Sequence, residues 1–229
     1  MTASRPSVGL VTIGQSPRAD VVPDMAEILG PGIDIREAGA LDGLTRAEIA
    51  ALAPGPGDEI LVTRLADASS VFVAKRHVVA RVQAKIAALE AAGAGLTALL
   101  CTGAFPPIPA RRPCVQPQPI LLGALRGLRW PGRLGILTPS EPHVAQTEAR
   151  WRADGFDPVV VPLSPYEEEN PVALARAADA LRSAHAGLVV MDCIGFRKKT
   201  RDELRAATGA PVLVANLLVA RVLAELCGV

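Results

Sequence analysis

Each half of the chain carries the same pair of segments, and this internal repeat constrains the fold more than any other feature. Gly9-Leu10-Val11-Thr12 in the first half resembles Gly135-Ile136-Leu137-Thr138 in the second. The stretch from Ala94 to Cys101 likewise resembles the stretch from Ala186 to Cys193. The glycine and the cysteine are 92 residues apart in the first half and 58 in the second, so we place an insertion before Lys75.

The repeated segments alternate between strand and helix patterns, which predicts two related lobes. Parallel strands need crossover connections, usually helices. The apolar residues are mainly Ala, Val, Leu and Ile, with 3% aromatics, which is typical of parallel strands covered by helices. The predicted fold is α/β, with two pseudo-symmetric lobes, each a parallel sheet flanked by helices, and a cleft between them. Residues 1–118 plus 212–229 are assigned to the first lobe and residues 119–211 to the second, because the proline-rich stretch 106–119 reads as an irregular connection.

Local patterns place further elements in the first half. The apolar runs Glu59–Leu65 and Ser70–Ala74 predict a hairpin, and helical spacing predicts a long helix from about Lys75 to Ala92. The start of the first helix stays open, because Pro17 fits an initial helical turn but Pro23 would kink that helix or postpone its start.

Two of the four cysteines, Cys101 and Cys193, end the matched strands of the repeat. Ligands of parallel α/β lobes collect at the carboxyl ends of strands, so these thiols are expected to face each other across the cleft. One thiolate could take a proton from a carbon while the opposite thiol gives one, and amides at a helix start could lower a thiol pKa toward neutrality. A buried structural role is the alternative for any single cysteine, but the repeat favours a functional pair. Cys114 and Cys227 lack this context and are interpreted as structural.

Polar residues in the same loops are candidates for binding a small carboxylate. Backbone amides and a guanidinium at a helix start suit an anion, which selects the loop after the first strand and its counterpart in the second half. Ordinary helix capping is the alternative for the serines, and exposure at the hairpin tip is the alternative for the arginine that ends the predicted strand. The full set of predicted binding residues is Gln15, Ser16, Arg18, Arg64, Thr102, Gly103, Thr138, Ser140, Ile194 and Gly195.

Other polar residues are assigned no chemistry. The three histidines, His77, His143 and His185, lack the spacing of a metal site and are interpreted as surface residues. The segment from Tyr166 to Asn170 reads as a solvated acidic loop. Asp192 precedes a cysteine on a strand and should point to the other face, where it would hold neighbouring backbone. No pair of cysteines is close enough for a zinc site, so no metal is predicted.

Net charge and hydropathy argue against several classes of function. A formal net charge of +1 is not what nucleic-acid binding usually shows. The most apolar stretch, Pro211–Val229, contains Asn216, Arg221 and Glu225, so no membrane span is expected. The amino-terminal segment lacks the pattern of a secretion signal, which predicts a cytoplasmic protein. The high apolar fraction makes a homodimer the expected assembly, and no phosphate-binding glycine motif points to a nucleotide cofactor.

The motifs together resemble one protein family along nearly the whole chain. The segments that carry the resemblance are Thr12-Ile13-Gly14-Gln15-Ser16-Pro17-Arg18-Ala19-Asp20, Gly39-Ala40-Leu41-Asp42-Gly43-Leu44, Leu61-Val62-Thr63-Arg64-Leu65, Met191-Asp192-Cys193-Ile194-Gly195-Phe196 and Pro211-Val212-Leu213-Val214-Ala215-Asn216. On these the chain is identified as a member of the AroM family. The cysteine motifs are more distantly similar to those of the aspartate/glutamate/hydantoin racemase superfamily.

The more distant resemblance implies paired cysteines acting without pyridoxal phosphate or metal, so no cofactor is expected. Racemases usually have Cys-Asn-Thr in the first motif and often Cys-Thr-His in the second, whereas here Thr102 follows Cys101 and Ile194-Gly195 follows Cys193. The expected function is a racemase-like or isomerase-like enzyme that moves protons at a carbon beside a carboxylate or carbonyl. A decarboxylase-like enzyme using one thiol, more naturally Cys193, and a non-catalytic protein that binds a small acid are the alternatives.

Overall fold

A computed structural model describes residues 5–167 and 170–229 of the chain. The strands are β1 (Ser7–Thr12), β2 (Asp34–Gly39), β3 (Ile60–Arg64), β4 (Ser70–Ala74), β5 (Leu96–Leu100), β6 (Cys114–Val115), β7 (Arg133–Thr138), β8 (Pro158–Pro162), β9 (Ala186–Met191) and β10 (Val212–Val214). The helices are α1 (Val22–Leu29), α2 (Arg46–Ala50), α3 (Lys75–Ala91), α4 (Pro117–Arg126), α5 (Val144–Ala153), α6 (Pro171–Ser183), α7 (Lys198–Thr208) and α8 (Ala215–Cys227).

Two parallel four-stranded sheets form the two halves of the molecule. The first has the order β2-β1-β5-β6 and the second the order β8-β7-β9-β10. Numbered within each half, both orders are 2-1-3-4, so the sequence repeat is also a repeat of topology. The predicted α/β fold with two parallel sheets flanked by helices is confirmed.

The repeated glycines let a helix approach each central strand closely. A Cβ atom on Gly9 would lie 2.9 Å from Leu89 Cδ1 of α3. A Cβ atom on Gly135 would lie 2.5 Å from Leu181 Cδ2 of α6. A side chain at either position would force these leucines to shift, so the two glycines permit the close helix–sheet packing seen in both halves.

The apolar core has three parts. One buried cluster packs mainly α3 and the hairpin against the first sheet, and a second packs mainly α6 and α7 against the other sheet. The third joins the halves, since it includes Leu10 from β1, Ile136 from β7 and Val219 from α8. The two halves therefore share one continuous core.

The inserted hairpin is present as predicted. Strands β3 and β4 pair antiparallel in a separate two-stranded sheet and are followed directly by α3. The first helix begins at Val22 with Pro23 in its first turn, so the later of the two possible starts is correct.

The structure differs from the sequence interpretation around the connections between the halves. Part of the proline-rich stretch 106–119 is regular, because β6 joins the edge of the first sheet and α4 begins at Pro117. The segment 212–229, assigned from sequence to the first lobe, is divided: β10 pairs with β9 of the second sheet, while α8 packs against α1 and α4. Within residues 5–167 and 170–229, no helix is long and apolar enough to cross a membrane.

Candidate active site

The sheets place Cys101 and Cys193 at matching positions. In the first sheet Thr12 pairs with the residue before Cys101. In the second sheet Leu137 pairs with the residue two positions before Cys193, which sets Thr138 beside the residue before Cys193. Each cysteine therefore follows a central strand at the carboxyl edge of its sheet, where α/β proteins bind ligands.

Both thiols line one cavity between the halves, with about 490 Å³ of empty space including its open mouth. Strand β3 supplies one wall, and the segment from β7 into α5 supplies another. The polar residues that line the cavity with the cysteines are Arg18, Thr63, Thr102, Thr138, His143, Gln146, Thr147, Arg150, Tyr166 and Asp192.

A glycine two residues after each cysteine directs a backbone N–H toward the sulfur. Gly103 N donates to Cys101 Sγ at 3.4 Å. The backbone N–H of Gly195 acts in the same way on Cys193 and counteracts part of the rise in that thiol's pKa. The repeat therefore supplies each thiol with one donor that stabilises its thiolate.

Burial dominates the ionisation of both thiols. It raises the pKa of Cys101 to about 12, with smaller opposing contributions from the Gly103 N–H and Arg150. Burial also raises the pKa of Cys193. The expectation that helix-start amides bring these thiols toward neutrality is wrong, because the energy of desolvating a thiolate exceeds what the nearby donors return.

Cys193 has two further neighbours that stabilise its thiolate. The Tyr166 hydroxyl lies 3.6 Å from Cys193 Sγ, and both this contact and the charge of Arg18 lower the Cys193 pKa. Burial keeps the pKa of Tyr166 well above its ordinary value of 10.0, so the hydroxyl retains its proton. A charge on Cys193 in turn raises the pKa of Cys101. Cys193 is therefore the more readily ionised thiol of the pair.

Arg18 is buried, with 1% of its surface exposed. Its Nε and Nη2 donate to the Asp20 carboxylate, each at 2.8 Å, and Nη1 donates to Thr12 Oγ1 at 2.9 Å. The guanidinium carbon lies 5.9 Å from the centre of the Tyr166 ring. Arg18 thus lines the cavity while it forms an ion pair with Asp20.

A second arginine links the residues that flank the two cysteines. Arg150 Nη1 donates to the Thr102 carbonyl oxygen at 2.7 Å, and Nη2 pairs with Asp192 Oδ2. Trp151 Nε1 donates to the same Asp192 oxygen at 2.7 Å. Asp192 was expected to hold neighbouring backbone, whereas its buried carboxylate binds two side chains of α5.

Several predicted binding residues lie away from this cavity. The Gln15 side chain donates to the Leu41 carbonyl oxygen and accepts from Ala66 N. Ser16 donates to Asp42 through both its backbone N and its Oγ, at 2.8 and 2.7 Å. These bonds fix the loop after β1 to neighbouring loops, and the serine does not cap a helix.

The remaining predicted residues divide between the cavity and its surroundings. Thr102, Gly103, Thr138 and Ile194 line the cavity. Arg64 instead lines a neighbouring cavity on the far side of Tyr166, and Gly195 borders another. The Ser140 hydroxyl is bonded to His143 Nδ1 at 2.8 Å.

The sequence interpretation missed His143, which is buried rather than on the surface. Its ring stacks on Phe72 of β4 at 5.9 Å, and burial lowers its pKa. Gln146, one turn later, accepts from Ile60 N at 2.8 Å and donates to Ile60 O at 3.0 Å. These contacts fasten the hairpin to α5, so the hairpin covers the cavity. His143 and Gln146 lie just after β7, at the carboxyl edge of a sheet, and this position is the sequence signal that could have identified them.

Tyr166 was also missed, because the acidic residues after it suggest a solvated loop. Glu167 is exposed and Asn170 caps α6 by accepting from Ala173 N at 3.0 Å, while Glu168 and Glu169 lie outside the described residues. Of the other histidines, His185 is exposed and His77 is half-buried. In the part of the chain that the structure describes, no three His, Cys, Asp or Glu residues are grouped to hold a metal ion.

Comparison with known families gives one match that spans almost the whole chain. The model of a family described as AroM protein matches residues 8–227. Among curated protein sequences there is no match.

Solved structures with the same fold include three enzymes. Unliganded arylmalonate decarboxylase has a TM-score of 0.61 at 17% identity, covering 97% of this chain and 93% of its own. The maleate isomerase Iso from Pseudomonas putida S16 has a TM-score of 0.64 at 13% identity, covering 98% and 93%. Allantoin racemase from Klebsiella pneumoniae has a TM-score of 0.61 at 15% identity, covering 97% and 88%. The chain therefore shares its fold with a decarboxylase, an isomerase and a racemase.

Proposed function

The chain belongs to the AroM family, and we propose that it is a cofactor-independent enzyme of the racemase and isomerase type. Its substrate is a small molecule with an acidic C–H bond beside a carboxylate or carbonyl group. Cys193 and Cys101 act as base and acid on opposite sides of that carbon. The fold shared with a racemase, an isomerase and a decarboxylase supports this reaction type.

The observation that carries the proposal is the placement of both thiols in one cavity. They come from equivalent strand ends of two sheets with the same strand order, and each receives the N–H of a following glycine. A cysteine with a purely structural role would need neither an equivalent cysteine in the other half nor a cavity shared with it.

In the proposed reaction the Cys193 thiolate removes the proton. The C–H electron pair moves into the adjacent carbonyl or carboxylate, and the proton moves to Cys193 Sγ. The Cys101 thiol then donates its proton to the opposite face of the carbon, which restores the carbonyl group. The raised pKa of each thiol makes its thiolate a stronger base once formed, and Tyr166 and Arg18 favour forming it at Cys193.

The substrate carboxylate has polar partners on the cavity wall. The Thr138 and Thr147 hydroxyls lie 2.9 Å apart and share one hydrogen bond, so each keeps further bonding capacity. Arg18 lines the same cavity and adds positive potential near Cys193. We assign carboxylate binding to this group.

Proton exchange tests the proposal directly. Candidate carboxylic and carbonyl compounds are incubated with the protein in deuterated water, and loss of the α-proton is followed by NMR. Exchange is expected with the native protein and should fall at least about 10³-fold in Cys101→Ala and in Cys193→Ala, as for removal of a general acid or base. Cys114→Ala and Cys227→Ala, which change cysteines outside the cavity, serve as controls. Exchange that persists in both cavity variants would contradict the proposal.

The asymmetry of the thiols favours one alternative, a decarboxylase that uses Cys193 alone. Arg18 at Cys193 is matched by Arg150 at Cys101, but the Tyr166 hydroxyl acts on Cys193 and has no counterpart among the described groups that shift the Cys101 pKa. In that reaction a C–C bond breaks, carbon dioxide leaves, and Cys193 protonates the resulting enediolate. Carbon dioxide release from a malonate-type acid that survives Cys101→Ala and disappears in Cys193→Ala would select this alternative.

A further inference from the structure

Residues beside the two cysteines are joined to one another by buried bonds between the halves. Thr102, directly after Cys101, donates through Oγ1 to the Asp192 carbonyl oxygen at 3.1 Å. Asp192 is the residue directly before Cys193. Arg150 bonds both of them, through the Thr102 carbonyl oxygen at 2.7 Å and the Asp192 carboxylate. Cys101 and Cys193 are therefore each one residue away from the same set of bonds.

This bridge is rigidly held. The Asp192 side chain is completely buried and Arg150 is 17% exposed. Trp151 Nε1 also donates to the Asp192 carboxylate, and the Arg150 guanidinium lies 5.8 Å from the centre of the Trp151 ring. A planar guanidinium can bind two acceptors in a fixed geometry. Any substitution of Arg150, including lysine, would lose this arrangement.

The charges of Arg150 and Asp192 in this bridge oppose each other near Cys101. The charged groups that act on Cys101 are Cys193, Arg150 and Asp192, and the last two have opposite signs. In the first sheet, the position equivalent to Asp192 is the apolar Leu100, so the repeat does not require a carboxylate there.

From these contacts we propose that Arg150 and Asp192 are positioning residues, which fix the two cysteine loops relative to each other and keep a neutral charge pair beside Cys101. The inference rests on the proposed use of both thiols. Neither side chain is required to touch the substrate. Their role is to set the distance between the sulfurs and to keep Cys101 protonated, as the acid of the pair must be.

Removing one charge at a time tests the electrostatic part of this role. The background variant has Cys193→Ala, Cys114→Ser and Cys227→Ser, so that Cys101 is the only thiol. Its pKa is read from the pH dependence of alkylation by iodoacetamide. Asp192→Asn leaves the Arg150 charge unopposed and should speed alkylation at pH 8 by about tenfold, which is one pKa unit. Arg150→Gln leaves the Asp192 charge unopposed and should slow it by about tenfold.

The control is Arg152→Gln on the same helix, since Arg152 forms an exposed ion pair with Glu148 and neither residue lines the cavity. Opposite shifts in Asp192→Asn and Arg150→Gln, with none in Arg152→Gln, are the expected result. A structural role alone would move both alkylation rates in the same direction, toward greater exposure, and that outcome would overturn the proposal.

Cross-linking tests the geometric part and does not depend on catalysis. With Cys101 and Cys193 retained and the other two cysteines replaced by serine, bifunctional thiol reagents of graded length should give one sharp optimum of cross-link yield. Arg150→Lys keeps the charge but loses the two-acceptor bridge, so the optimum should broaden at least about twofold while the Cys101 pKa stays near its native value. An unchanged length profile would overturn the positioning role. A failed proton-exchange experiment would instead remove the proposed function and leave both of these measurements interpretable.

Discussion

The surroundings of Cys101 and Cys193 are alike in backbone and different in the side chains that contact each thiol. Both thiols follow a central strand and both receive a glycine N–H, which are features that the repeated topology provides. Each thiol has an arginine from the other half, Arg150 at Cys101 and Arg18 at Cys193, but the Tyr166 hydroxyl contacts only Cys193 of the two. The repeated backbone therefore gives the two cysteines equivalent positions, and the side chains around each cysteine give it a different role.

The largest effect is expected from the charge pair on the Cys193 side. Arg18 is buried and the Asp20 side chain is largely shielded, with side-chain exposures of 1% and 9%. Arg18→Met leaves the Asp20 charge unpaired and should lower the free energy of unfolding by about 3–5 kcal/mol. Urea denaturation measures this change, and Arg152→Met, which removes an exposed pair, should cost less than about 1 kcal/mol. Equal effects of the two substitutions would show that the Arg18 pair is not a buried one.

The two glycines give a sharper comparison, because the repeat makes them equivalent. A Cβ atom on Gly195 would lie 2.6–2.9 Å from the Tyr166 ring and hydroxyl, whereas on Gly103 its nearest neighbour would be Leu61 Cδ2 at 3.0 Å. Gly195→Ala should therefore displace Tyr166 and lower the free energy of unfolding by about 1–3 kcal/mol. Gly103→Ala, where a leucine methyl group can move, should cost less than about 1 kcal/mol. Equal losses of unfolding free energy in Gly103→Ala and Gly195→Ala would show that Tyr166 does not distinguish the two sites.

The third effect is a pH dependence of stability that comes from the buried thiols. The Cys101 pKa rises from 9.0 to about 12 on folding, so the folded protein holds this proton more tightly than the unfolded chain does. The stabilisation is complete below pH 9 and is lost as pH rises toward 12, by about 1.4 kcal/mol per pH unit. Urea denaturation at pH 8 and pH 10 under reducing conditions should show a smaller loss in Cys101→Ala than in the native protein, by about that amount.

Cys193→Ala provides the comparison for this measurement. Its pKa shift has the same sign, so it should also reduce the loss of stability. The reduction should be smaller than for Cys101→Ala, because Tyr166 and Arg18 offset part of the burial effect at Cys193. A larger reduction in Cys193→Ala would reverse the assignment of base and acid.

The fold was predictable because its signals are local. The strand runs that end at Cys101 and Cys193 and the two matched glycines appear directly in the sequence, and parallel pairing follows from the helices between them. The site was less predictable because its side chains come from distant parts of the chain. Arg150 bonds Asp192 from 42 residues away and Gln146 bonds Ile60 from 86 residues away, and no local pattern reports such pairs.

Sequence patterns also could not predict how deeply each side chain of the site is buried. The thiol pKa values depend on how completely the halves and the hairpin exclude water, which is a property of the assembled core. His143 shows the same limit, since it contacts Phe72 and Ile60 of the hairpin, which are distant in the sequence. Polar residues next to acidic runs or helix starts, such as Tyr166, are misread for this reason.

The contiguity of each sheet has a consequence for how the protein is made. The first sheet uses only residues 7–115 and the second only residues 133–214, so neither needs strands from the other half. During synthesis, the first sheet can pair its strands while the second half is still being translated. The cavity requires both halves, so protection of its two thiols from alkylating reagents can develop only after the second half has been synthesised.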